Sequence, residues 1–463
     1  MGRAEVRELP LEVRLDTEVL VTLLREFPGT VLLDSGNGEA GSDFSILGVG
    51  GRPRVTWSAD GVDPQTDPFQ LLRSALDEHH LDSNERWPFV GGLIGYVGYE
   101  ARRLLEVLPS RHPRLGALPD MLWLQYALVL AVNHRTGEAS VLDSSSCLTG
   151  SERRRVEHLR DALCSRLAAC GGEEPPHRDE PWPPFAPREV VPTSRPDHEH
   201  AIRVAKEHIA LGDIYQVNLA RVWRAPRRGD MLGLYRRLRR INPAAFGFFL
   251  EYAGEAILSV SPERFLRVRG RVVETVPIKG TAPRAIDPDL DRQHAAELVR
   301  SPKDAAELSM IVDILRNDLS RVCEPGSVRV VNHRELSSHA TVHHLSSLIR
   351  GDLKPQCDVV DLLRATFPGG SITGAPRIRA MEIIDDLEPA RRGPYCGSCG
   401  YLGWDGRADL NIMIRTVWTA ADEIRFQGGG GIVADSDAAA EVRETEAKVA
   451  GILRALRGDE VDL

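Results

Sequence analysis

No apolar run in this 463-residue chain is long enough to cross a bilayer. The longest, "YALVLAV" at 126–132, falls far short of the roughly 20 residues a membrane-spanning helix needs. The opening residues, "MGRAEVRELPLEVRLD", carry charges at close intervals and no apolar core of the secretory kind, so a cytoplasmic protein without a membrane partner is expected. Positive charge is also in deficit. With 58 Lys and Arg against 67 Asp and Glu the net charge is -9, and the basic footprint that a phosphate backbone requires is missing. Nucleic acid is not an expected partner. Cysteine is sparse and odd in number, and 7 residues scattered along the chain fit a reduced compartment better than a disulfide framework. The one CxxC, Cys396 and Cys399 in "YCGSCGYLGW", lacks a second CxxC or a His pair at zinc-ligand spacing and reads as two buried thiols. No internal repeat is evident.

What is present is the composition of a soluble globular protein, long enough for a large core and, on length alone, for two or three domains. Over residues 1–170 short apolar runs alternate with Gly and Asn turns, as in "TVLLDSGNG", "FSILGVGG", "FVGGLIGYVGYE" and "MLWLQYALVLAVNHRTGEASVL". These read as strands, and "SERRRVEHLRDALCSRLAA" after them as a helix. Residues 171–196, rich in Pro and charge, read as a linker or surface excursion. Within 197–463, "DHEHAIRVAKEHIALGD" is an amphipathic helix ending at Gly212, followed by strands in "VNLARVWRA", "FGFFLEY" and "EAILSVS". Two later helices are marked by Leu308, Ile311, Leu315, Leu319 and Val322, and by Val442, Val449, Leu453 and Leu456 behind a Ser436 cap.

Those two helices carry acidic pairs. Asp304 and Glu307, and likewise Glu441 and Glu444, are three residues apart and share a face. They are either two solvated faces or, where they converge, a magnesium site, since that ion takes one or two protein carboxylates and is completed by water and ligand oxygens. Gly428 to Gly431 in "FQGGGGIVADS" form either a floppy hairpin or a backbone surface that an anion can approach closely. The run is not GxGxxG and no Walker lysine follows it. "FPGGSITGAPRIRAMEIID" is a second Gly-rich turn into a helix, with Ser371 and Thr373 as donors. Lys279 in "VPIKGTAPR" stands before Gly280, Thr281 and Pro283, where a turn is expected, and is either a surface charge or an amine held in a pocket. Glu263 in "SPERF" and His343 and His344 in "TVHHLSSLI" are, each alone, no more than a loop carboxylate and strand histidines.

Taken in order, "GDIYQVNLARV", "SPERFL", "PIKGTAPR", "AELSMIVDILRNDLSRV", "HHLSSLI", "FPGGSITGAPRIRAMEIIDDLEP", "CGSCGYLGW", "LNIMIRTV" and "GGGGIVADSDAAAEVRETEAKV" resemble the chorismate-utilising enzymes, most closely their para-aminobenzoate branch. The likeness covers nearly all of the chain after residue 196, and "LLDSG" and "GGLIGYVGYE" extend it more loosely toward the N-terminus. It implies one compact α/β fold, two large antiparallel β-sheets packed face to face with helices outside, in which 1–170 and 197–463 are interleaved subdomains. It also implies roles. Arg415, Tyr401 and the amides of Gly429, Gly430 and Gly431 would hold one substrate carboxylate. Mg2+ on Glu307 and Glu444 would hold the other, with Asp304 and Glu441 behind. Glu263 would protonate the departing 4-hydroxyl, and His344, Ser371 and Thr281 would surround the ring.

Two positions select the branch by this resemblance. Relatives that use water carry a lysine where this chain has Gln216, and glutamine cannot serve as that base. Anthranilate synthases carry alanine where this chain has Lys279, the residue that in the para-aminobenzoate branch attacks C2 as the 4-hydroxyl leaves. Ammonia then adds at C4, giving 4-amino-4-deoxychorismate for para-aminobenzoate and folate biosynthesis. The amine must be neutral, so its pKa has to fall from ~10.4 toward ~7 to 8; burial favours this and nearby carboxylates oppose it. The chain has no cysteine in a "GxCxGxQ" elbow, which implies a separate glutamine amidotransferase subunit as partner and source of ammonia. The alternatives are anthranilate synthase component I and a silent scaffold that binds chorismate without turnover. Ser42 and Asp43 stand where relatives often have an arginine near "FSILG", and Ser309 where an apolar residue is usual.

Overall fold

The apolar runs of the first 170 residues become strands enclosed on both faces. In Gly92–Val97, Ile94 and Tyr96 enter one core cluster while Leu93 and Val97 enter another, and in Met121–Tyr126 the same split separates Leu122 and Leu124 from Met121 and Trp123. Alternate residues of a strand point to opposite faces, and a strand covered on both reads as a continuous run. The first cluster also contains Val31, Leu32, Phe248, Ile257 and Val417 of the opposing sheet; it fills the layer between the two and continues on the larger sheet's far face, where Leu234 and Leu238 of Met231–Ile241 and Val449 and Ile452 of Ala438–Arg457 join it. The second lies under helices, where Phe69 and Leu72 of Pro68–Asp77 and Leu308, Ile311, Leu315 and Leu319 of Pro302–Val322 cover the outer face.

The computed structural model describes the chain apart from residues 1–4, 13, 16, 37–42, 61–66, 83, 171–181, 339–341 and 459–463. Ser42 and residues 171–181 of the expected linker therefore lie outside the described residues. Among the described residues the strands form a 12-stranded and a 10-stranded sheet with antiparallel ladders. Both sheets mix the two ends of the chain. Val31–Asp34 pairs with Phe246–Tyr252 in the larger, and Gly92–Val97 pairs with Ser398–Gly403 in the smaller. One α/β body results, and the length-based expectation of several domains does not hold.

The expected excursion is docked over its second half. Trp182 and Phe185 are buried against the C-terminal helix Ala438–Arg457, where the Trp182 indole and the Phe185 amide both donate to the Leu456 carbonyl, Val191–Pro192 pairs with Gln216–Pro226, and the next helix already starts at Arg195 with Ser194 as its cap. Composition suggested a free linker, but the aromatic side chains anchor it. A smaller correction concerns the last helix, Ala438–Arg457. Its N-cap is Asp437, whose side chain accepts from the Ala440 amide, while Ser436 turns inward to Glu441.

Candidate active site

Lys279 lies within the strand Ile278–Pro283 and not in a turn. Gly280 has φ of 83°, and the ladder to Val342–Asp352 slips between Ile278 and Thr281. The glycine that reads as a turn is a bulge, which re-aims the neighbouring side chains. A Cβ on Gly280 would stand 3.0 Å from Asp304 Oδ1, so the bulge also lets the strand press against the Pro302–Val322 helix. Lys279 is partly buried, and its Nζ donates to the Ser371 carbonyl at 3.3 Å. Burial pulls its pKa below the ordinary lysine value and prevails over Glu307, Glu263 and Glu444, which favour the ammonium.

Glu263 follows the strand Glu255–Ser261 and is 5% exposed. Ser371 Oγ donates to its Oε1 at 2.7 Å, and the Ile278 amide also hydrogen-bonds the carboxyl group. Burial raises its pKa above the usual carboxylate range despite Ser371 and Lys279. Ser371 thus touches both groups, hydroxyl to the acid and carbonyl to the amine. Each of the pair is driven toward its uncharged form, the division of labour that an acid and an amine nucleophile require. Beside them Thr281 pairs across the ladder with buried His344, Oγ1 to Nδ1 at 3.3 Å.

The two acidic helices converge here. Glu441 is 2% exposed; its Oε1 accepts from Ser436 Oγ at 2.8 Å and lies 3.3 Å from Lys303 Nζ, while its buried Oε2 has no partner. Lys303 Nζ is also 3.8 Å from Glu307 Oε1, so it spans the two helices. A Cβ on Gly430 would meet Glu441 Oε2 at 3.0 Å and Glu444 Oε1 at 3.5 Å. The glycine strand therefore lies directly on the acidic face, and a residue without a side chain keeps those oxygens open. Burial raises the Glu307 pKa. Burial would raise that of Glu444 as well, but Lys448, Lys303 and Lys279 hold it below the ordinary value. Hard carboxylate oxygens, one of them unpartnered, fit Mg2+. Among the described residues no group of three or more His, Cys, Asp or Glu side chains is gathered as a ligand set, so an ion held here would need water or ligand oxygens to complete its shell.

The glycines are not a hairpin but the buried end of the strand Glu423–Ile432. Their partners on one side run from Arg221 opposite Gly428 to Asn218 opposite Gly431. On the other side the ladder to Thr416–Ala420 stops at Phe426, so among the described residues that edge of the run has no strand partner. Arg415 precedes this neighbouring strand, at the level where the glycines begin. It is partly buried, and among the described residues its guanidinium has no carboxylate partner; burial alone lowers its pKa. A partly buried cation without a carboxylate partner, beside open amides, is prepared for an anion.

Tyr401 is placed elsewhere. Ser398–Gly403 turns Cys399 and Tyr401 to one face, toward a cavity of about 140 Å3 between the sheets lined by Asp34, Arg264, Asp409 and Asn411, with none of the groups around Lys279. Strand alternation decides this, and it removes Tyr401 from the expected carboxylate site. Three residues were not singled out for this site beforehand. Lys448 donates to the Gly429 carbonyl at 2.8 Å and to Glu444 at 2.7 Å. Its place one turn after Glu444 was a signal that could have found it. Lys303 had the same signal from Glu307. Gln216, read only as a branch marker, is buried against Gly431 with its Oε1 unpartnered.

A family model described as chorismate binding enzyme matches residues 30–454. Aminodeoxychorismate synthase component 1 of Klebsiella aerogenes is 40% identical over 443 residues, covering 93% of this chain and 94% of that protein. Anthranilate synthase component 1 of Haloferax volcanii is 36% identical over 438 residues, covering 89% and 83%. Among solved structures, anthranilate synthase component I from Streptococcus pneumoniae superposes with a TM-score of 0.78 at 30% identity, over 89% of this chain and 93% of that one.

Proposed function

The chain belongs to the chorismate-binding enzymes, and from that premise we propose that it converts chorismate and ammonia to 4-amino-4-deoxychorismate through a covalent adduct on Lys279. The observation that carries this reading is the pair Lys279 and Glu263, held on the two sides of Ser371 and each shifted toward its neutral form.

Lys279 Nζ attacks C2, the two conjugated ring double bonds both shift toward C4, and the C4–O bond breaks. Glu263 gives its proton to the departing hydroxyl, which leaves as water. Ammonia then forms a bond to C4, both double bonds return to their original positions, and the C2–N bond breaks with its electron pair going back to Lys279. The new C4 ammonium gives a proton to the Glu263 carboxylate, so both residues are restored. Arg415 and the amides of Gly429 to Gly431 orient one substrate carboxylate. Glu307 and Glu444 would hold Mg2+, with Asp304 and Glu441 around it, and the ion would supply positive charge to the other carboxylate. Without it the acidic face would repel the substrate. His344 and Thr281 border the ring.

Relatives at about 40% identity are named component 1 of an aminodeoxychorismate synthase, which supports a second component as partner; in this proposal that component is a glutamine amidotransferase subunit that supplies the ammonia, in a cytoplasmic route to para-aminobenzoate and folate. A second reading, anthranilate synthase, is favoured by relatives of that name at 36% and 37% identity. It leaves the buried amine of Lys279 without a task. Incubation of the chain with chorismate, Mg2+ and an ammonium salt should yield 4-amino-4-deoxychorismate by mass. Anthranilate with pyruvate as the products would overturn the proposal in favour of the second reading.

A further inference from the structure

Lys303 is the second residue of the Pro302–Val322 helix, at the end whose dipole favours anions. Its partner one turn on in the same helix, Glu307, lies 3.8 Å from Lys303 Nζ at Oε1. The side chain also crosses to the neighbouring helix, 3.3 Å from Glu441 Oε1, with 52% of it still exposed. The oxygens it bridges belong to the two helices that would hold the divalent cation. An ammonium and a Mg2+ ion within a few ångströms of the same carboxylates repel one another and compete for the same negative charge.

Resting on the metal reading above, we propose that Lys303 is a built-in counter-cation of the acidic cluster, which ties the two helices together before metal arrives and is displaced toward solvent when Mg2+ binds. The four-carbon stem and half-exposed head make that exchange possible without moving either helix. Its purpose is twofold. The lysine relieves repulsion among Asp304, Glu307, Glu441 and Glu444 in the metal-free enzyme, and it sets metal affinity lower than four carboxylates alone would give. Lys303 acts on the substrate only through the ion, so it is a positioning residue.

The test uses the full chain and MgCl2 alone, titrated calorimetrically into wild type, Lys303→Met and Lys303→Arg. Removing one positive charge at this partly screened site should tighten Mg2+ binding on the order of tenfold in Lys303→Met and leave Lys303→Arg close to wild type. The thermal midpoint of metal-free Lys303→Met should fall below that of wild type, and its gain on adding Mg2+ should be the larger. A wild type that binds Mg2+ with a Lys303→Met affinity equal or weaker would overturn the counter-cation role and leave the metal reading intact. A wild type that binds no Mg2+ would overturn both.

Discussion

Replacing Ser371 by alanine separates the two halves of the Lys279 and Glu263 pair. The hydroxyl donates at 2.7 Å to a carboxyl group that is 5% exposed, so no bulk water takes its place. A hydrogen bond to an ionised group contributes about 1.5–3 kcal/mol. At about 1.4 kcal/mol per pKa unit, its loss should raise the Glu263 pKa by a further ~1–2 units, because the donor stabilises only the charged form. Lys279 should be spared, since its contact is to the Ser371 backbone carbonyl, which alanine retains. The assay is kcat/KM for chorismate against pH with free ammonia held constant. The limb that reports Glu263 should move up by ~1–2 units in Ser371→Ala, the limb that reports Lys279 should stay, and Ser371→Thr should restore the wild-type profile. A profile that does not move, or whose Lys279 limb moves instead, would refute the assignment of Ser371 as the donor that tunes the acid.

Removing the metal should abolish turnover: activity should vanish in excess chelator and return on adding Mg2+, whereas full activity in chelator would end the metal assignment. Arg392 is 1% exposed and donates to Glu388 as well as to the carbonyls of Ile372 and Asn218, so Glu388→Ala should leave a buried charge unpaired and cost about 3–5 kcal/mol in urea denaturation. His198 is buried, and burial, with Arg221, pushes its pKa down to about 4. The folded protein then binds fewer protons than the unfolded chain between pH about 4 and 6.5, and stability rises with pH across that window. Comparison with His198→Leu should show the wild-type stability gaining up to about 3 kcal/mol relative to the variant over that range, and parallel curves would contradict the shift.

The sequence made the two acidic helices and the strand runs legible because helical spacing and strand alternation are local. Leu308, Ile311, Leu315 and Leu319 are the buried stripe that their spacing predicts. It was less informative where a glycine signal has two outcomes. Gly280 reads as a turn and is a bulge, and Gly428 to Gly431 read as a floppy hairpin or an anion-approachable backbone and form part of a buried strand, because strand partners about 60 and about 210 residues away decide the two cases. Tyr401 was misplaced for a related reason: its motif fixes its strand, but only the pairing with Gly92–Val97 fixes which face looks toward the inter-sheet cavity. Trp182 and Phe185 show the converse, two aromatic anchors hidden in a stretch whose proline and charge suggest a linker.

The claim on which the account depends is that Lys279 becomes covalently attached to the substrate. Enzyme mixed with chorismate and Mg2+ in the absence of ammonia, quenched in acid and digested, should show the peptide containing Lys279 heavier by chorismate less one water. Lys279→Ala should show no such adduct while still binding chorismate. An unmodified Lys279 peptide, together with an alanine variant that forms 4-amino-4-deoxychorismate at the wild-type rate, would contradict the account.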